Sequence, residues 1–265
     1  SSPHTMAACC PSTALPAAKP PADYTNLGAD FKIGSGAICY VTGDATSKFG
    51  LVVGPDVFGV GSGRTRQICD QLAALGFHVI IPDYFYGKPM LEDTTWPLMF
   101  QTPRLIYRIR QRDYPSVGRD IDSAADHLRQ AGVERMGIVG FCYGGWVVFN
   151  ACQQPSPFAC GVGFHPSLLI CRIRREKRTE LMKNIGCPLM LLSAGDDPED
   201  VKPKGLAQKA LTDTSVWSES FFKEYPTMNH GWVNRGDLSD PKVAHEVADA
   251  LQLAGDFLVK HVQQK

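Results

Sequence analysis

Short apolar runs recur along this chain, and between several of them the hydrophobic positions change to helical spacing. Residues 49–53, 77–81, 136–139, 158–164 and 188–192 read as buried strands. Apart from His78 they are apolar, without the alternation of a strand that has one wet face. Residues 31–33 and 37–41 predict a hairpin across the glycine turn 34–36, and 216–225 alternate loosely as a last strand. Ile68, Leu72 and Leu75 share one face of a helix before residue 77, as Ile121, Ala124, Ala125 and Leu128 do within a helix over 116–132. Residues 226–236 read as a loop and 242–262 as a long terminal helix. Strand and helix alternate, so the expected class is α/β, a largely parallel sheet wrapped on both faces.

Two stretches resist this scheme. In 84–115, Tyr84, Phe85, Tyr86, Trp96, Phe100 and Tyr107 mix with prolines and with Arg104, Arg108, Arg110 and Arg112. An insertion beyond a strand's C-terminal end lies where α/β proteins bind ligands, so it could partly cover a site; a solvated charged helix is the plainer reading of its arginines. Residues 1–22 are rich in Ala, Pro and Ser and read as a flexible arm, with Ser1–Thr5 an addition ahead of Met6. Residues 23–265 then form a single domain. The basic segment 171–178 reads as an exposed helix or loop face.

Composition narrows the partners. The 27 basic and 27 acidic residues cancel, which argues against nucleic acid and anionic membranes. No apolar run reaches the ~18 residues of a membrane span, and the N-terminus lacks a secretory h-region. Nine cysteines without a regular framework suggest unpaired thiols and a cytoplasmic setting. The adjacent Cys9 and Cys10 could be a metal or redox feature, but no second Cys or His pair at ligand spacing accompanies them, so the plainer reading is two ordinary thiols. No metal or cofactor is expected.

The chemistry concentrates in Gly140-Phe141-Cys142-Tyr143-Gly144-Gly145, between an apolar strand and a helix. This is the nucleophile-elbow pattern with cysteine in the serine position. A sharp turn pushes the nucleophile out above the sheet, and side chains at the flanking glycines would clash. The N–H groups of the following helix favour a thiolate at Cys142. A tight turn around a buried, inert cysteine is the bland alternative. A thiolate nucleophile works beside a histidine held by a carboxylate. Acid and histidine candidates follow in the hydrolase order, each past a strand: Asp197 (or Asp196) after Gly195, and His230 in Asn229-His230-Gly231-Trp232. His78, His127, His245 and His261 sit in strands or helices, the helical ones as surface or half-buried groups. His165 ends a strand but precedes the acid.

These blocks, with Pro55-Asp56-Val57-Phe58-Gly59-Val60, resemble the dienelactone hydrolase (carboxymethylenebutenolidase) family over roughly residues 30 to 265. Cys9-Cys10 and His165-Pro166-Ser167 look like its eukaryotic members. The resemblance implies an α/β-hydrolase fold, Cys142 as nucleophile, His230 as base and Asp197 as its orienting acid. It implies an oxyanion hole from the Val57 and Tyr143 backbone N–H groups, and a thiol-contacting acid at Asp56, where bacterial members carry Glu. Their substrate-binding arginine corresponds to Asn234, beside Arg235. Arg235, Tyr86, His165 and Trp232 are substrate-binding candidates. The expected reaction is hydrolysis of a small ester or enol-lactone through a thioacyl enzyme, by a monomer or small homo-oligomer. A thioesterase or carboxylesterase, or a ligand-binding protein of the same fold, are the rivals. Redox sensing through Cys142 would want a resolving cysteine, which the motif lacks.

Overall fold

In the central strands, neighbouring residues bury opposite ways, which is why these segments are apolar without alternation. Leu51 and Val53 enter one core layer and Val52 the other; Met190 and Leu192 oppose Leu189 and Leu191 in the same manner. The computed structural model describes residues 10–91 and 98–264, with side chains masked at 98–102. Cys9, Trp96 and the side chain of Phe100, named above, lie outside the described residues. So do Ser1–Thr5.

Eight strands form one sheet in the order β1-β2-β4-β3-β5-β6-β7-β8. They are β1 (Ala29–Lys32), β2 (Ile38–Thr42), β3 (Phe49–Gly54), β4 (His78–Pro82), β5 (Arg135–Phe141), β6 (Gly161–Phe164), β7 (Leu189–Ala194) and β8 (Phe221–Tyr225). β2 pairs antiparallel with β1 and β4; every later pairing is parallel. The helices are α1 (Thr65–Ala73), α2 (Leu98–Gln111), α3 (Tyr114–Gln130), α4 (Tyr143–Ala151), α5 (Leu169–Arg174), α6 (Arg178–Lys183), α7 (Leu206–Leu211), α8 (Trp232–Arg235) and α9 (Pro241–Leu258). Ile68 and Leu72 of α1 and Val247 and Ala250 of α9 fill one layer; Leu105 of α2, Ile121 of α3 and Trp146 of α4 fill the other. Asp113 caps α3 by accepting from the Ser116 N–H at 3.0 Å, with Pro115 in the first turn. Among the described residues no helix is long and apolar enough to cross a membrane.

Several expectations are corrected. Leu75 is not on the core face: α1 stops at Ala73, Gly76 takes φ +92, and Leu75 is 43% exposed. The last strand begins only at Phe221, because the Ser220 hydroxyl donates to the Val216 carbonyl at 2.8 Å and folds 216–220 into a turn. The 226–236 segment contains α8, and the terminal helix ends at Leu258 with a π turn over Val259–Gln263. His261 in that turn is buried, not surface. Tyr84 and Phe85 belong to the core, with the Tyr84 hydroxyl donating to the Pro55 carbonyl at 2.6 Å. In the basic segment, Cys171 is buried, as is Ile170 just before it, and Arg174 pairs with Glu176 against Trp146.

The arm differs most. Cys10 is buried and belongs to the same apolar layer as Cys142, with Ala14 packed against it. The Leu15 N–H donates to the His230 carbonyl at 2.9 Å, the Leu15 carbonyl accepts from Arg235, and the Gly63 N–H donates to Ala18 O at 2.8 Å. These backbone pairings dock residues 10–18 across the C-terminal edge of the sheet.

Candidate active site

The site forms where β3, β5, β7 and β8 end. Cys142 joins β5 to α4 with φ +53 and ψ −107, a conformation that costs a non-glycine residue on the order of 1–3 kcal/mol. The neighbours explain the glycines. A Cβ on Gly140 would stand 2.1 Å from the Gly144 carbonyl oxygen, and one on Gly144 would stand 2.0 Å from that of Gly54. Gly54 and Gly140 are register partners on β3 and β5, so Val57, three residues past Gly54, leaves the same edge as the elbow.

The acid and histidine loops are tied to each other. The Gly195 N–H donates to Met228 O at 2.9 Å, and a Cβ on Gly195 would stand 2.0 Å from Pro226 O. Asp197 accepts from the Ala194 N–H at 2.7 Å through one oxygen; the other lies 2.5 Å from Nδ1 of His230. Asp196 instead accepts the His230 backbone N–H at 2.6 Å and the Thr13 hydroxyl at 2.6 Å. The two carboxylates thus divide the work, Asp197 holding the ring and Asp196 the backbone and the arm. The Arg64 guanidinium donates to the carbonyls of Trp232, Val233 and Gly236 and fixes α8 behind the ring.

The structure brings Cys142, Asp197 and His230 together, and buries them at 0%, 3% and 1% exposure. Burial pulls the His230 pKa down, but the Cys142 thiolate charge and then Asp197 outweigh it and push it up to about 10. The shift favours a protonated His230 beside Cys142 and Asp197. His165 stacks edge-on against His230 at 4.9 Å and Trp232 at 5.4 Å. Its own burial, then the charges of His230 and Arg235, hold it neutral, with a pKa well below the usual histidine range.

The remaining candidates are placed differently from expectation. Asp56 accepts from Asn234 at 2.8 Å and pairs with Arg235, with the Phe58 N–H on its other oxygen at 2.9 Å. Arg235 is correspondingly held by Asp56, by Leu15 O and over the Phe58 ring, rather than open to a substrate carboxylate. Both residues are buried, so the pair neutralises charge that would be costly alone. Trp232 packs on Tyr225 and His165 behind the site. Tyr86 is 45% exposed and lines a surface groove of about 390 Å³ with Tyr40, Phe58 and Pro89. Sequence reasoning missed Cys10, whose Sγ lies 3.3 Å from that of Cys142. A thiol thus stands where the motif alone offered none, and only its pairing with Cys9 marked it in sequence.

A family model described as the dienelactone hydrolase family matches residues 37–262. The chain belongs to that family. It is 27% identical to an uncharacterised AIM2 family protein of Schizosaccharomyces pombe, over 95% of this chain and 98% of that one. It is 30% identical over 194 residues to a carboxymethylenebutenolidase homolog of Mus musculus, covering 70% of this chain and 71% of the relative. Among solved structures, a dienelactone hydrolase-like promiscuous phosphotriesterase from metagenomic libraries superimposes with TM-score 0.63 at 19% identity, over 89% of this chain and 98% of that chain. A Pyrococcus furiosus esterase gives TM-score 0.57 at 14% identity, over 92% and 99% of the two chains. At these identities the structures establish the shared α/β-hydrolase fold. The family match makes the chain a dienelactone hydrolase-like hydrolase.

Proposed function

We propose that this chain hydrolyses a small ester or enol-lactone through a thioacyl enzyme on Cys142. The observation that carries this reading is the buried 2.5 Å contact between Asp197 and His230 beside a strained cysteine elbow. The thiolate attacks the acyl carbonyl, and the Val57 and Tyr143 N–H groups receive the oxyanion. Once sulfur is acylated its negative charge is gone, and that charge is a main cause of the raised His230 pKa. The imidazolium then gives its proton to the leaving alkoxide. Neutral His230, still oriented by Asp197, next takes a proton from water as it attacks the thioester, which restores thiolate and imidazolium. Thiolate is the better leaving group from a tetrahedral amide adduct, so esters and lactones suit the site and peptides do not. With Arg235 committed to Asp56, a neutral acyl group fits better than one carrying a carboxylate.

The test is Cys142→Ala. Hydrolysis of an activated aryl ester falls to background, and the His230 ring titration, followed by NMR, moves down from about 10. A raised histidine pKa contributes stability that is complete below about 6.5 and lost as pH rises through about 10, so the variant loses the share of that pH dependence that Cys142 supplies and keeps the share from Asp197. Wild-type hydrolysis by the variant would end this reading. Comparing kcat/KM for lactone, aryl ester and acyl thioester separates the substrate classes.

A further inference from the structure

Two thiols and an imidazole from distant parts of the chain meet at the elbow. The Sγ atoms of Cys10 and Cys142 are 3.3 Å apart, and with a ring nitrogen of His230 they form ligand atoms all within 4.8 Å of one another. Cys10, Cys142 and His230 are 5%, 0% and 1% exposed. Asp197 occupies Nδ1 of His230, so the nitrogen left for a ligand is Nε2. A carboxylate on the far ring nitrogen is the outer-shell arrangement that fixes the tautomer and raises the basicity of a zinc-bound histidine. Two sulfurs and one imidazole are the donors preferred by zinc over hard cations. Zinc–sulfur bonds of about 2.3 Å in a tetrahedron set the sulfurs roughly 3.7 Å apart. The pair would therefore open by only about half an ångström. Two thiolates also cancel a dication, which leaves the Asp197 carboxylate on His230 as the one charge beside the metal, while nearby Asp56 is already balanced by Arg235.

We propose that Cys10, Cys142 and His230 form a binding site for Zn²⁺, with the fourth position left to water, and that metal there silences the nucleophile. The site rests on geometry alone; only its inhibitory effect rests on the hydrolytic reading. Binding displaces the thiol and imidazolium protons, takes the sulfur lone pair needed for attack, and clamps the docked arm through Cys10.

The experiment uses the full chain, stripped with a chelator and kept under a phosphine reductant so that the thiols cannot pair as a disulfide. It is titrated with ZnCl₂ and, separately, with CoCl₂. One equivalent of zinc binds, aryl ester hydrolysis falls with occupancy, and chelation restores it. Cobalt gives a thiolate-to-metal charge-transfer band and the strong visible bands of a tetrahedral site. Cys10→Ser, judged against its own metal-free rate, weakens zinc by at least ~100-fold, the upper end of what losing an outer-shell partner costs. Cys10→Ala gives the same result if serine disturbs the arm. Equal zinc affinity in wild type and both variants, or a cobalt spectrum without thiolate charge transfer, overturns the proposal. A wild-type chain that binds cobalt with this spectrum yet hydrolyses no ester when metal-free sustains the site and sinks the hydrolytic reading.

Discussion

The elbow and the arm press sulfur against sulfur, yet they hold their cysteines by opposite means. Cys142 is fixed by backbone on backbone: glycines at 140 and 144 let strand, turn and helix approach so closely that no side chain fits. Its strained φ persists because the sheet on one side and α4 on the other leave it no alternative. The arm that carries Cys10 is held by a short row of hydrogen bonds: Thr13 and Leu15 donate to the acid and histidine loops, and the Ala18 carbonyl accepts from Gly63 in the turn before α1. The first arrangement yields only when the core yields. The second is expected to open ahead of the core, because its described fastenings are hydrogen bonds along the sheet edge rather than interlocked backbone. A catalytic sulfur needs the former; a cover or a metal clamp is served by the latter.

The sharpest way to break this comparison is at the two adjacent aspartates. Asp197→Asn keeps the shape but presents the wrong partner to Nδ1, and should lower kcat by roughly 10⁴-fold, the cost of the equivalent change in a serine triad. Asp196→Asn touches only a backbone N–H and the arm, and should cost far less. Steady-state rates on one ester decide it. Equal losses would mean that the acid loop acts as a block and that Asp197 has no separate role.

Next in size is Gly144→Ala. The new Cβ would lie 2.0 Å from the Gly54 carbonyl oxygen, a rigid backbone atom of the adjacent strand. Overpacking costs about 1–3 kcal/mol and more when backbone must move, so unfolding should be easier by about 3 kcal/mol in urea. An unchanged midpoint would show that the elbow is not locked by β3.

How much of this could be read from sequence follows the same division. Cys142, Asp197 and His230 each lie beside their own punctuation: a glycine pair, Gly195, and Gly231 at φ +97. Local pattern sufficed because each residue's position is set by the turn it sits in. Cys10 meets Cys142 across 132 positions of chain, and nothing in the arm's composition encodes that meeting. The Asp56–Arg235 pair is hidden for a related reason: family likeness points these residues at thiol and substrate, whereas buried opposite charges 179 positions apart find each other first. Tyr84 and Phe85 looked like part of an insertion because the prolines after them hid the strand-end turn, Asp83 accepting from the Phe85 and Gly87 N–H groups.

The smallest predicted effect tests the arm itself. The Thr13 hydroxyl donates at 2.6 Å to the Asp196 carboxylate that also holds His230, so it links the arm to the histidine loop through one side chain. Thr13→Val keeps the shape and removes that bond, worth about 0.5–1.5 kcal/mol. If the arm opens on its own, the loss appears only in its opening equilibrium. Alkylation of Cys10 and exchange of the Leu15 N–H should then speed up about 2- to 10-fold, since 1.4 kcal/mol is tenfold. The melting temperature should hardly move, because the core is untouched by an opening that precedes it. A drop in melting temperature as large as that of Gly144→Ala, with no gain in Cys10 reactivity, would place the arm within the cooperative core and erase the distinction between the two cysteines.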